Sequence, residues 1–451
     1  MRIPVIFTIS ILAAFASCKK YVDIVPKGKI IPQETRDYRL LLNNTNKLLP
    51  GYGTQEVMTD NIDYSSDPGL EDILGFTTAA IFSFQDKIYQ DNSDVSEWNN
   101  MYSEIYVANV VINEVMSSTG GSQQEKNYLL GEALTLRAHN YWALVNIWAK
   151  AYDAATAAAD PGVPLVLQAD LQANLVRKPV ADVYAQIIKD LEQAASLLPA
   201  TAANNYIPSK ASAFAMLCRT RLMMRDYDNA EKMADSTLKY RNALFDLNTI
   251  AANPRSLPLY ISHPEVIYLR QAGNAYATMF LSQDLLNLLG TQDLRRVLFT
   301  ADGKTTLNYN GVTYYGEFID FRTRNTGPTV PEIMLVKAEC LARKNDKDGA
   351  VTLMNQIRQK RFKPLEYQAV AASDATQALN MVLDERRREL FCTTARFFDL
   401  KRLSKEPALA KTVTHLYKNT TYTLPPDSKL YVFPIPPRVL EIGPGIVPNE
   451  R

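Results

Sequence analysis

Residues 333–357, IMLVKAECLARKNDKDGAVTLMNQI, decide the fold. Ile333, Val336 and Cys340 recur at helical spacing, and so do Ala350, Leu353, Met354 and Ile357. Between the two stripes stands a polar turn, Lys344 to Gly349. A short polar turn between two amphipathic helices predicts an antiparallel pair. Ala350 opens the second helix, and a small side chain there lets the cylinders approach closely, as in tetratricopeptide-type repeats. Asp346, Asp348 and Gly349 also hint at a calcium loop. Lys344 would then occupy the first ligand position and Asn355 the last, so the segment is read as a helix–helix turn.

The same arrangement stands upstream. Ala211, Phe214, Ala215, Cys218 and Leu222 stripe one helix; Ala230, Met233, Ala234 and Leu238 stripe the next, around the turn Arg225 to Asn229. Earlier still, Leu134, Ala138, Tyr141, Val145 and Trp148 follow a 3.6-residue period through Gln124–Ala149. Val183, Ile187, Leu191, Ala194 and Leu198 make its partner, closed by Pro199, across a loop at Tyr152–Val180. Downstream, a last helix is expected from about Ser373 to Leu390, with Ser373 or Asp374 as N-cap. The pairs are unevenly spaced, so this is no simple solenoid. Two stretches, Gly51–Ser96 and about Asn253–Gly327, lack the period. Loops this long inside a compact body are usually functional, so a binding surface is expected there.

Composition excludes several classes. Of 451 residues 47% are hydrophobic and 22% charged, which rules out disordered, collagenous and coiled-coil chains. The length allows two to four domains or one large single-core fold. Lys+Arg is 49 against 48 Asp+Glu, and a net charge of +1 carries no nucleic-acid signal. His139, His263 and His415 are too scattered for a metal cluster. After Cys18 only Cys218, Cys340 and Cys392 remain, with no C-x-x-C, so no disulfide framework is expected.

The N-terminus is read as an export signal. Ile3–Phe15 is apolar, too short for a span of about 20 residues and suited to a signal h-region. Phe15-Ala16-Ser17-Cys18 places two small residues before a cysteine, as in a bacterial lipoprotein cleavage box. Residues 1–17 are therefore expected to be removed and Cys18 to be acylated. Acyl chains contribute about 0.8 kcal/mol per buried CH₂, enough to hold a chain on a bilayer when two or more are present. No later stretch is long and apolar enough to span.

Catalytic signatures are absent. The chain has no G-x-G-x-x-G, P-loop, G-x-S-x-G or H-E-x-x-H. Glu339 or Asp399 could be imagined as a catalytic carboxylate, but nothing sets a second one at a known distance. His139, among Tyr141 and Trp142, is read as packed. Asp384-Glu385-Arg386-Arg387-Arg388-Glu389 admits two readings, a solvated helix face or a buried Arg–carboxylate network. Phe433-Pro434-Ile435-Pro436-Pro437 is read as a stiff strap across a helical body.

In order, these features resemble the SusD/RagB family of outer-membrane nutrient-binding lipoproteins, over nearly the whole chain. Tyr21-Val22-Asp23-Ile24-Val25-Pro26-Lys27-Gly28 is similar to the family's opening segment. Trp98, Tyr102, Ile105 and Ala108-Asn109 resemble one of its helices, and Arg137-Ala138-His139-Asn140-Tyr141-Trp142-Ala143-Leu144 another. Glu332, Ala338-Glu339 and Asn355-Gln356-Ile357-Arg358 match the third pair. The most specific string is Glu385-Arg386-Arg387-Arg388-Glu389-Leu390 followed by Arg396-Phe397-Phe398-Asp399-Leu400-Lys401-Arg402. Thr393-Thr394 departs from the pattern, where relatives usually carry Glu-Gly. Lys19-Lys20 replaces the acidic residues that often follow the lipid cysteine.

The resemblance implies a mostly α-helical, single SusD-like domain at 18–451, built on tetratricopeptide-like pairs with a loop-rich, irregular binding lobe. Its N-terminal part would run to about 320 and include irregular regions 51–96 and 253–327; its C-terminal part would cover about 328–451. It implies a non-catalytic protein of the cell outer membrane, facing the exterior and anchored in lipid through Cys18. Its partners would be an oligosaccharide and a TonB-dependent, SusC-like transporter, with no cofactor, metal or nucleic acid. A peptide-binding RagB-like member, an envelope scaffold and an unrecognised hydrolase are the rivals. Aromatic rings stack on sugar faces, while amides, acids and Arg bond hydroxyls. On that chemistry the expected contacts are Asp60, Asn61, Tyr64 and Tyr89 in the first irregular region. In the second they are Tyr276, Tyr314, Tyr315 and Arg322. Trp98, at a helix start, is assigned to core packing.

Overall fold

The computed structural model describes residues 32–48, 51–170, 172–173, 175–272, 279–315, 324–443 and 445–451. Cys18, the signal segment, Tyr276 and Arg322 lie outside them. The described chain is mostly α-helical, and the expected pairs form. Helices α1 (Thr35–Leu42), α2 (Ser96–Glu114) and α3 (Gln123–Trp148) lead into α4 (Val180–Leu197), with α3 packed on both α2 and α4. Helices α5 (Lys210–Met223) and α6 (Tyr227–Tyr240) form the second pair; α7 (Val330–Arg343) and α8 (Lys347–Gln359) form the third. Helix α9 (Ala375–Glu389) lies against both α7 and α8. Helix α6 also packs on α7, so the array runs on through space although residues 241–329 stand between them in sequence.

Local chemistry explains the pairs. Asp226 caps α6 by accepting from the Asn229 N–H (3.4 Å), and Asp346 caps α8 by accepting from the Gly349 N–H (2.8 Å). Each such cap contributes about 1 kcal/mol. A Cβ on Gly349 would stand 2.8 Å from the Asp346 carboxyl carbon, so a larger residue there would shift the capping carboxylate. Ala230 and Ala350 are fully buried against their partner helices. Helix α3 is buried on every side from Leu129 to Trp148, the mark of a central helix. Its polar groups are used: Arg137 donates twice to Asp190 (2.8 Å each) and once to Asn109 (2.9 Å).

The acid-and-arginine run in α9 is the buried network. Glu385 is fully buried and accepts from Arg295 (2.7 Å), Arg358 (3.0 Å) and Arg388 (3.0 Å). Arg295 also holds Asp293 (2.6 Å) and Glu389 (2.6 Å), and Arg361 joins Glu389 (2.7 Å) to Glu265 (2.8 Å). Asp293, Arg295 and Glu265 belong to the second irregular region, so this network ties that region to the helices. In α10 (Ala395–Leu403) Arg402 joins Glu339 to Asp399, which also receives Arg386 (2.8 Å). Lys401 is buried without a carboxylate. Burial pushes its amine down to about 7, and it donates to the carbonyls of Asn146 (2.7 Å) and Ala149 (2.6 Å) at the end of α3.

The turn before α10 shows what the Thr393-Thr394 departure does. Thr394 has a φ of 71°, the left-handed region, where the family's glycine is free of strain. The backbone N–H of Cys392 and of Thr394 both donate to the buried Glu56 carboxylate (3.1 and 2.7 Å), so the turn is retained. The Thr394 hydroxyl is buried without a partner. Thr394→Gly is therefore expected to stabilise the protein by about 1 kcal/mol. Urea titration checks it; a variant less stable than the parent would mean that the turn is held by the Thr394 side chain.

Three antiparallel hairpins complete the described fold: β1 (Pro161–Pro164) with β2 (Arg177–Pro179), β3 (Thr300–Asp302) with β4 (Val312–Tyr314), and β5 (Val413–Tyr417) with β6 (Thr420–Leu424). The last was not anticipated. Its loop, Lys418-Asn419, has φ of 48° and 62°, as in a type I′ turn. The proline-rich segment is the expected strap. Phe433 and Ile435 are buried, and the Phe433 N–H donates to the Ile147 carbonyl (3.0 Å). It leads into α11 (Pro437–Ile442).

Candidate functional site

The residues expected to touch ligand are mostly engaged within the chain. Asp60 takes both of its oxygens to Arg396 (2.7 and 2.8 Å) and one to Lys411 (2.8 Å). Burial pushes its carboxyl up, but the Arg396 guanidinium outweighs this and holds it well below the usual carboxylate range. Asn61 is fully buried, donating to Glu56 (3.0 Å) and accepting from Arg387 (2.8 Å). Tyr64 stands edge-on to Phe82 at 4.8 Å, and Tyr89 is a core residue. Tyr314 is buried edge-on to Phe391 at 5.6 Å. Tyr315 is half-buried, its backbone N–H donating to the Phe299 carbonyl (2.8 Å). Asp60 and Asn61 are thus clamped by α9 and α10, and Tyr64, Tyr89 and Tyr314 pack the irregular regions, which need a core of their own.

The imagined catalytic carboxylates are engaged too. Glu339 and Asp399 share Arg402. Burial pushes both up, and the neighbouring guanidiniums outweigh it, keeping both below their ordinary range and ionised. His139 is buried between Tyr52 (6.1 Å) and Tyr268 (6.0 Å), and burial holds its imidazole well below the ordinary value, hence neutral. Among the described residues no group of His, Cys, Asp and Glu could hold a metal ion.

The arrangement best suited to a ligand is an open pocket of about 300 Å³ at the start of α2. That is near the lower end of small-molecule sites. Helical spacing sets Trp98, Tyr102 and Tyr106 four apart along one face. The Tyr102 hydroxyl donates to the Pro164 carbonyl (2.8 Å), which fixes the ring and the 164–175 loop together. Burial holds that phenol well above its ordinary value. Trp98 tilts on Tyr102 at 4.9 Å and meets the edge of Trp148 at 5.1 Å. It is 4% exposed, so the core assignment holds, and its ring also forms the pocket wall. Leu175, Val439, Ile442 and Ile446 close the other sides, with Asn99 and Asp170 exposed at the rim.

Two larger open cavities lack this character. One of about 390 Å³ is walled by Arg387, Arg396, Lys411 and Asp384, with no aromatic ring. Another of about 430 Å³ on the α4–α6 surface has Phe214 as its single ring. A third cavity gathers Tyr260, Phe299, Tyr314 and Phe391 over the Arg295–Arg361 network, and so brings one expected contact, Tyr314, to a cavity, but at about 100 Å³ it is too small for a sugar ring with its surroundings. Sequence reasoning did not point to this pocket, although it set Trp98 and Tyr102 on one helix. The four-residue aromatic spacing after Trp98 was the available signal; the opposite wall comes from distant segments and left none.

Comparison with known proteins agrees along the chain. Residues 37–222 match a family model described as "Starch-binding associating with outer membrane", and residues 330–450 match a model of the SusD family. The SusD-like protein P38 of Formosa agariphila is 22% identical over 90% of this chain and 92% of its own. A crystal structure of a SusD superfamily protein from Bacteroides thetaiotaomicron superposes with a TM-score of 0.73 at 21% identity, covering 93% of this chain and 100% of that one. A putative sugar binding protein from Bacteroides vulgatus gives 0.74 at 20% identity, covering 93% and 99%.

Proposed function

Since the chain belongs to the SusD/RagB family, we propose that it is a non-catalytic carbohydrate-binding protein of the outer membrane. In this reading it captures oligosaccharides and passes them to a TonB-dependent, SusC-like transporter. Cys18 carries the lipid anchor, and the body faces the exterior. The sugar-binding description of the Bacteroides vulgatus relative and the starch-binding description of the matched family support the ligand class. No helix among the described residues is long and apolar enough to cross a membrane.

One observation carries the reading: the pocket that combines Trp98, Tyr102 and Tyr106 with an amide and a carboxylate at its rim. Rings offer flat apolar faces to the C–H faces of a pyranose, and Asn99 and Asp170 can bond its hydroxyls. Tyr106 is half-buried and lines the pocket, so its removal spares the core. Tyr106→Ala is expected to weaken glycan binding about tenfold, with an unchanged melting temperature. Calorimetry with an oligosaccharide panel tests this. Binding to peptides in place of glycans would move the protein to the peptide-binding branch of the reading. Equal glycan affinity in the variant would remove the pocket from the site.

A further inference from the structure

The same pocket offers a sugar flat ring faces but few partners for its hydroxyls. Among the described residues that line it, only Asn99 and Asp170 have polar side chains free of the aromatic rings, and both sit at the exposed rim. Apart from the Trp98 indole N–H and the Tyr106 hydroxyl, the polar groups of the wall are spent. The Tyr102 hydroxyl donates to Pro164 (2.8 Å), and the Val166 N–H and carbonyl both engage the Tyr141 hydroxyl (2.7 Å each). A pyranose carries hydroxyls around its edge. Each one sealed against these walls without a partner would weaken binding roughly ten- to a hundredfold. An uncharged ring meets no such penalty, and it gains contact with Trp98 and Tyr102.

We propose that the pocket takes an aryl substituent of the ligand, an aromatic aglycone, while the sugar itself rests at the mouth. This rests on the carbohydrate-binding reading above and narrows it to aryl glycosides. Asn99, Tyr106 and Asp170 meet the sugar; Trp98, Tyr102 and Ile442 enclose the ring. The Asp170 carboxylate at the rim disfavours an anionic substituent.

The test is calorimetry of the intact protein with matched pairs of methyl and phenyl glycosides of glucose, galactose, mannose and xylose. The phenyl member is expected to bind at least tenfold tighter than its methyl partner, whichever sugar carries it. Ile442 is 67% exposed, so Ile442→Asp leaves the fold intact, with the same melting temperature, while it places a charge on the apolar wall. That variant is expected to lose the phenyl advantage. Affinities within twofold in every pair overturn the aryl assignment and leave carbohydrate binding standing. A phenyl advantage without binding of any unsubstituted oligosaccharide supports the aryl pocket and sinks the glycan reading. No binding of any probe up to 10 mM (roughly −2.7 kcal/mol) overturns both, and a phenyl advantage that survives Ile442→Asp places the ring elsewhere and overturns this pocket.

Discussion

Replacing Arg402 by methionine is expected to cost about 3–5 kcal/mol of stability, the range found when one partner of a buried ion pair is removed. Arg402 is fully buried. Its two terminal nitrogens donate to Glu339 (2.7 Å each), and its Nε donates to Asp399 (2.8 Å). Without the guanidinium, Glu339 keeps only Arg343 (3.0 Å) and Asp399 keeps only Arg386 (2.8 Å), both still buried. The pH dependence follows. Burial pushes both carboxyls up, and the guanidiniums outweigh it, so both stand below their unfolded values. Their contribution is present above about pH 4 and is lost as pH falls through the folded values. The variant lacks part of that lowering, so the gap between parent and variant should narrow as the medium is acidified. Urea unfolding at pH 7 and at about pH 2.5 measures both effects. A loss under 1 kcal/mol at pH 7 would mean that this pair contributes specificity without stability.

The second large effect is expected at Gly327. Residues 324–330 run beside 265–272, with the Ile267 N–H donating to Pro328 (3.0 Å) and the Thr326 N–H to Arg270 (2.8 Å). The two backbones lie so close that a Cβ on Gly327 would overlap the Tyr268 carbonyl oxygen and stand 3.1 Å from the Arg270 nitrogen. Neither atom is on a flexible side chain, so relief must come from parting the segments. Gly327→Ala should therefore cost about 3 kcal/mol or more, beyond ordinary overpacking. Gly75→Ala is the control, since nothing lies within 4 Å of its added carbon. Melting curves compare them; similar values for the two variants would show that the segments part freely.

The helical body was legible for local reasons. Ala230 and Ala350 with the Asp226 and Asp346 caps sit within a few residues of one another, and period and capping are short-range signals. The charged run in α9 was legible as a possibility only. Its chief partner, Arg295, comes from another part of the chain, and no spacing announces it. The same distance hid the internal partners of the expected contacts. Asp60 meets Arg396 across 336 positions of sequence, so a residue that looked like a hydroxyl partner is a structural anion. Tyr64 and Tyr89 looked available because their neighbours are polar and lack a period, yet an irregular lobe must also bury rings to be stable. The pocket joins residues near 100, 170 and 440, and only its first wall had a readable pattern. The hairpin at 413–424 was missed because Lys418-Asn419 is an uncommon loop beside the usual Asn-Gly.

The contact between α6 and α7 has a wider consequence. Their packing joins the cylinders directly, and the 89 positions separating them leave and re-enter at adjacent points. Closing a longer loop costs only about 0.6 kcal/mol per doubling of its length. The intervening stretch is thus free in length at little entropic cost but not free in sequence: Arg270 and Arg295 within it neutralise the buried Glu104, Glu385 and Glu389 of the helices, so any replacement must bring cations for those acids or strand them.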